Sequence, residues 1–66
     1  MFVTVNGDST ETKDNGTVAD LLVQLQIPRE RVAVEVNLDI VPKSQHDSHA
    51  LTDGDRIEIV QFVGGG

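Results

Sequence analysis

The sequence contains no cysteine, no tryptophan and no tyrosine among its 66 residues. Without cysteine the chain has no disulfide or thiolate metal site to support a small fold, and no thiol of its own for chemistry. A chain of this length forms one domain at most and buries only about 60% of the surface that its unfolded form exposes. Its stability therefore depends on a small apolar core.

Basic residues are also scarce, since five lysines and arginines stand against eleven acids and give a formal net charge of −6. Phosphate contacts need Lys and Arg, so this balance argues against nucleic acid and favours a protein partner with a basic face. The sequence has no run of about 18 apolar residues and no charged-then-apolar segment at its start. We therefore expect a cytoplasmic protein that does not bind membranes.

The residues that self-contained catalysis requires are few. No glycine-rich loop with a lysine precedes a predicted helix, which excludes the common nucleotide-binding loops. His46 and His49, with Asp47 between them, lie in a polar segment typical of a solvated loop and offer too few ligands for a structural metal site. Ser44, His49 and Asp53 contain the groups of a nucleophilic triad, but so short a chain leaves little room for an enclosed pocket. We predict no catalytic residue, no metal, no bound cofactor and no enzyme activity.

Apolar residues at every second position predict strands, because side chains along a strand point alternately to its two faces. These positions are Met1, Val3 and Val5, then Val32, Val34 and Val36, and finally Ile57 and Ile59 within residues 56–63. The turn chemistry of residues 6–9 predicts a hairpin with a polar second strand. Residues 38–43 predict a short edge strand, which suits Pro42 because edge positions tolerate a missing N–H.

Residues 17–27 predict a helix that packs on the sheet. Thr17 is a suitable N-cap, Asp20 follows it as in a weak capping box, and Pro28 is expected to end the segment. The apolar stripe of 3.6-residue period consists of Val18, Leu21, Leu22 and Leu25. Residues 44–56 predict a loop that Leu51 anchors in the core. The result is an α+β domain of order β-β-α-β-β-β, with one helix across a mixed sheet of about five strands and the first and last strands as neighbours.

Three glycines at 64–66 follow the last predicted strand. Glycine lacks Cβ, so such a segment fits an extended channel too narrow for other residues, and it reaches roughly 10 Å. A terminal carboxylate is ionised at neutral pH and inert to nucleophiles until it is activated, most simply by adenylation with ATP. We therefore predict a domain over residues 1–63 and a flexible tail, Gly64, Gly65 and Gly66, whose end is the substrate of a separate enzyme.

Several stretches of the sequence resemble the ThiS family of sulfur carrier proteins. They are VNG at 5–7, TVADLL at 17–22, VAVEVN at 32–37, IVPK at 40–43, DGDRIEIV at 53–60 and the terminal VGGG. Together they cover nearly the whole chain, and the resemblance implies a β-grasp, ubiquitin-like fold. Leu38 stands where the family often has glycine and Lys43 where it often has arginine; both are turn or surface positions.

The resemblance further implies the chemistry of the carboxyl end. The Gly66 carboxylate would be adenylated by a ThiF-like enzyme using Mg-ATP, and sulfur from a persulfide donor would then replace AMP to give a thiocarboxylate. That sulfur would pass to the thiazole ring on thiazole synthase. A carrier that moves between several enzymes is expected to be a monomer, and the absence of cysteine agrees with sulfur that comes from outside.

Strand alternation also predicts a docking surface. If the isoleucines of the last strand face the helix, Val60 and Phe62 point to the open face of the sheet, and Phe2 and Ala33 share that face on the flanking strands. Contiguous exposed apolar side chains are typical of interfaces, so we predict a partner interface of these four residues. The acids expected to steer the encounter from outside this patch are Asp53, Asp55 and Glu58.

Three alternatives remain open from the sequence. A MoaD-like subunit of molybdopterin synthase shares the fold and the terminal glycines. A ubiquitin-like modifier that joins lysines begins with the same acyl-adenylate. A β-grasp interaction module with an irrelevant tail would keep its function if Gly65 and Gly66 were deleted.

Overall fold

The structure, a computed structural model, describes residues 1–62; the predicted tail at 64–66 and the residue before it lie outside this range. The elements in chain order are β1 (Phe2–Val5), β2 (Asp8–Glu11), α1 (Val18–Gln24), β3 (Val32–Val36), β4 (Asp39–Val41) and β5 (Arg56–Gln61), with short 3₁₀ turns at Arg29–Arg31 and Lys43–Gln45. The predicted order of strands and helix is confirmed.

The five strands form one mixed sheet in the order β2-β1-β5-β3-β4. β1 and β5 are parallel neighbours, and the other pairs are antiparallel. β5 lies at the centre, and β4 lies at an edge as predicted. Pro42 directly follows β4 instead of lying within it, so the edge strand is shorter than the sequence predicted.

One face of the sheet packs against α1 and forms the core. The buried cluster consists of Val3, Val18, Leu21, Leu22, Val32, Val34, Val36, Val41, Leu51, Ile57 and Ile59. The alternation predicted for the strands and the helical stripe both hold, and Leu51 is the predicted anchor of the long loop. Leu25 lies at the edge of this core, where it is partly buried.

Two asparagines lie in the hairpin turns, and their side chains form hydrogen bonds with β5. Asn6 and Asn37 both have positive φ, which asparagine tolerates better than most residues. The first turn is shorter than predicted, because only Asn6 and Gly7 lie between β1 and β2. The Asn37 side chain accepts a hydrogen bond from the Arg56 amide at 2.9 Å and donates one to Asp55, also at 2.9 Å. The second turn thereby fixes the start of β5.

The helix begins as predicted and ends earlier. The Thr17 hydroxyl accepts from the Asp20 amide and the Asp20 carboxylate accepts from the Thr17 amide, a complete capping box. Gln26, with φ of 59°, leaves the helical conformation, and the Ile27 amide donates to the Leu22 carbonyl at 2.9 Å. This pattern is a Schellman-type end with glutamine in the usual glycine position. Pro28 is therefore not what ends the helix.

The loop between β4 and β5 crosses the start of α1 and is not uniformly solvated. The amides of Val18 and Ala19 donate to the carbonyls of His49 and His46, at 3.0 and 2.8 Å. These bonds satisfy donors at the helix start that have no partner within the helix. His46 itself is 1% exposed, so its predicted place in a solvated loop is wrong. The polar residues around His46 in the sequence did not reveal that its side chain is buried.

Candidate functional site

The face of the sheet opposite α1 carries the candidate docking residues. Register places them in rows that cross the central strands. Glu58, Glu35 and Ile40 form one row, and Val60 and Ala33 form the next row toward the end of β5. The alternate residues of β5, Ile57 and Ile59, point to the other face of the sheet and are buried. The predicted orientation of β5 is therefore confirmed.

Exposed apolar side chains cluster where β5 ends. Val60 is 56% exposed and Phe62 57% exposed, while Ala33 lies directly opposite Val60 on β3 and is half-buried. The Phe62 amide donates to the Arg31 carbonyl at 2.8 Å, so backbone pairing holds the chain as far as this residue. A depression of about 110 Å³ adjoins it, lined by Pro28, Arg31, Val32, Gln61 and Phe62.

Phe2 does not belong to this cluster. Thr4 pairs with Arg56 on the parallel neighbour, so Phe2 lies level with Gly54, whose amide donates to the Phe2 carbonyl at 2.8 Å. Six residues of strand separate that level from Val60, about 20 Å at ~3.3 Å per residue. Phe2 is exposed on the predicted face, but its predicted contiguity with the other three is wrong. The sequence did not reveal this separation, because alternation predicts which face of the sheet a side chain occupies but not its position along the neighbouring strand.

Ile40 extends the apolar surface to the edge strand, and the sequence prediction missed it. It is 72% exposed and pairs with Glu35 on β3. The signal was available in the pattern of β4, because Val41 is buried on the helix face and its neighbour must point the other way. We name the surface formed by Ala33, Ile40, Val60 and Phe62 the apolar patch.

The three acids predicted to lie outside the patch have different positions. Asp53 accepts a hydrogen bond from the Phe2 amide at 2.8 Å, and Asp55 accepts one from the Thr52 amide at 2.8 Å. Both therefore stabilise the turn before β5. Glu58 is half-buried on the open face itself, directly opposite Glu35. Glu58 is thus outside the apolar patch as defined, but it lies next to the patch on the same face of the sheet.

Asn6 positions the part of β5 that carries the patch. β1 last pairs with β5 at Val5 and Ile57, and beyond that point the Asn6 side chain replaces the missing strand. Its amide oxygen accepts from the Ile59 amide at 2.8 Å, and its nitrogen donates to the Ile59 carbonyl at 3.1 Å. The residue before Val60 is thus fixed on the β1 side, although β1 has ended.

Three groups with a shifted pKa lie at the start of α1 and in the loops, outside the strands of the sheet. Hydrogen bonding to the Thr17 backbone holds the pKa of the Asp20 carboxyl below its usual range. The Arg29 guanidinium, 2.9 Å from Asp47, lowers the pKa of that carboxyl by hydrogen bonding and charge, and the pKa of Arg29 is raised by the same contact. These shifts have structural causes, and none marks a catalytic group.

Within residues 1–62, no group of three or more His, Asp or Glu side chains is placed to hold a metal ion. In the same range, no helix has the length and apolar character needed to cross a bilayer.

Comparison with known proteins identifies the class of this fold. The crystal structure of the thiamine biosynthesis protein ThiS from Geobacter metallireducens superimposes with a TM-score of 0.85, at 33% identity and covering 100% of both chains. The sulfur carrier protein ThiS of Bacillus subtilis is 48% identical over 54 residues, 82% of each chain. The structure is therefore a β-grasp domain like those of small sulfur carriers.

The family follows from the sequence. The profile of the ThiS family matches residues 3–66, and the chain belongs to that family. Its function is that of a sulfur carrier in thiamin biosynthesis. A thiazole synthase from Paramagnetospirillum magneticum contains a segment 46% identical to it over 66 residues. That segment corresponds to 100% of this chain, which spans only 20% of the length of that relative.

Proposed function

We propose that this chain carries sulfur as a thiocarboxylate on Gly66 and that it acts as the substrate of partner enzymes and not as an enzyme. The observation that carries the proposal is the route of β5. Backbone pairing continues past the end of the central strand to Phe62, which is part of the apolar patch. The glycines follow it in sequence, within the stretch that matches the family. A partner that binds the patch would therefore hold Phe62, four residues before Gly66.

The proposed chemistry balances as follows. A carboxylate oxygen of Gly66 attacks the α-phosphorus of ATP, held with Mg²⁺ by a ThiF-like enzyme, to give an acyl-adenylate and pyrophosphate. The terminal sulfur of a donor protein's persulfide then attacks the acyl carbon, and AMP leaves. A thiol reduces the S–S bond of this intermediate and releases the thiocarboxylate. Activation is needed because an ionised carboxylate resists nucleophiles, and the donor is needed because the chain has no cysteine.

We propose thiazole synthase as the acceptor of the sulfur. The thiazole synthase relative carries a segment similar to this whole chain, which supports a working association between the two activities. The match to the ThiS family favours this acceptor over a molybdopterin precursor. The cytoplasmic location and the monomeric state expected from the sequence stay predictions.

Intact mass spectrometry tests the proposal. The chain is incubated with the adenylating enzyme, Mg-ATP, a persulfide donor and a thiol. We expect a gain of about 16 Da, because one oxygen of the carboxylate is replaced by sulfur. Omission of ATP should abolish the gain.

A chain with one alanine added after Gly66 is the matched control. It should fold normally and gain no mass, because the added alanine displaces the Gly66 carboxylate from the position in which the adenylating enzyme would activate it. An adduct on lysine in place of the mass gain would identify a protein modifier. An equal gain with and without the added alanine would show that Gly66 is not the site.

A further inference from the structure

Two carboxylates face each other in the middle of the open face. Glu35 on β3 and Glu58 on β5 are register partners, and both are half-buried. Side chains in such pairs have Cβ atoms about 4.5–5.5 Å apart, and like charges at this distance oppose folding. Among residues 1–62, the ion pairs within 4.0 Å involve other groups. Within the same residues, Arg56 lies on the same face of β5 but forms no ion pair with Glu35 or Glu58.

The position of this acidic pair ties it to the apolar patch. Ile40 continues the row of the two glutamates, and Val60 and Ala33 form the adjacent row. Any surface that contacts Ile40 and Val60 together must therefore also cover Glu35, with Glu58 beside it. Covering two carboxylates without pairing them costs far more than apolar contact returns, so a docked partner must supply positive charge at this point.

We infer that the acidic pair receives a lysine or arginine side chain of the adenylating enzyme, surrounded by apolar residues that contact Ala33, Ile40, Val60 and Phe62. The inference rests on the proposed function and specifies its partner surface. An arginine suits the site best, because its planar fork can donate to two carboxylates at once. The net charge of −6 favours the same partner during approach.

Glu35→Gln and Glu58→Gln test the inference through opposite effects on stability and binding. Removing one charge relieves the repulsion, so the Tm should rise by roughly 1–8 °C. The same change should raise the KM for the carrier in ATP–pyrophosphate exchange by about three- to tenfold and weaken its dependence on salt, with kcat unchanged. Glu58→Lys should raise the KM further, because it would pair with Glu35 and repel the partner's cation.

Asp8→Asn is the matched control, because it removes one negative charge from an exposed position whose strand partner, Val5, lies on the helix side of the sheet. Its KM should stay within twofold of the unaltered chain. If the glutamine variants behave like this control while the unaltered chain is adenylated normally, the acidic pair has no such role and only this inference fails. If the unaltered chain is not adenylated at all, the proposed function fails and the inference fails with it.

Discussion

At the scale of single residues, His46 has the most unexpected environment. Its carbonyl accepts from the Ala19 amide, its amide donates to the Lys43 carbonyl at 3.1 Å, and its ring Nε2 lies 3.2 Å from the Val41 carbonyl. A carbonyl can only accept, so this contact assigns the ring proton to Nε2. Nδ1 is buried and has no partner among the described residues. The side chain therefore joins the long loop to β4.

His46→Ala should lower the free energy of unfolding by about 2–4 kcal/mol, because it leaves a cavity and an unpaired carbonyl. Urea unfolding followed by circular dichroism measures this loss. His49→Ala is the control, since the contact that His49 makes with the helix start uses its backbone carbonyl. Equal losses in the two variants would show that the ring of His46 contributes nothing specific.

At the scale of elements, the start of α1 shows how local chemistry and the loop act together. The capping box supplies two hydrogen bonds, and the loop carbonyls of His46 and His49 supply acceptors for two more amides. Only the capping box could be predicted from the sequence. Asp20 is the ionisable part of the arrangement, so it links helix stability to pH.

Asp20→Asn should destabilise the protein at pH 7 but have a decreasing effect as the solution is acidified. The pKa of Asp20 is lowered in the fold by its bond to the Thr17 backbone, so its contribution is complete above the unfolded value of 3.8. The contribution disappears as pH falls through the still lower folded pKa, where Asp20 is protonated in both states. Urea midpoints at pH 7 and at about pH 3 measure the change.

Asp39→Asn provides the control for that experiment, because Asp39 is exposed at the sheet edge and its side chain makes no hydrogen bond within residues 1–62. A difference between Asp20→Asn and the unaltered chain that stayed constant with pH would contradict the proposed contribution of the carboxylate.

At the scale of the whole molecule, the open face carries exposed apolar side chains at both of its ends. One end holds the apolar patch beside the exit of the chain, and the other holds Phe2, level with the turn before β5. Both ends expose aromatic surface, with Phe2 at 55% and Phe62 at 57%. Only the end with the apolar patch includes Phe62, the last described residue before the glycines.

Val60→Asp and Phe62→Asp should each slow adenylation severalfold or more, because a carboxylate replaces apolar surface where the partner docks. Phe2→Asp, about 20 Å along the same face, should leave the rate within twofold. ATP–pyrophosphate exchange measures the rates, and circular dichroism verifies the fold. Equal rates for all three variants and the unaltered chain would remove the apolar patch from the docking surface.

Features that depend on neighbouring residues could be predicted from the sequence. Alternation located β1, β3 and β5 and their buried faces, the 3.6-residue stripe and the capping box located α1, and the motifs identified the family. Each of these follows from the geometry of a short backbone segment, which neighbouring side chains largely specify.

Tertiary structure alone decided which distant residues meet. Register between strands placed Glu35 opposite Glu58 and placed Phe2 at the far end of the face from the apolar patch. The packing of the long loop against α1 buried His46. Register and loop packing are set by hydrogen bonds and core contacts between segments far apart in the chain, so no local pattern could specify them.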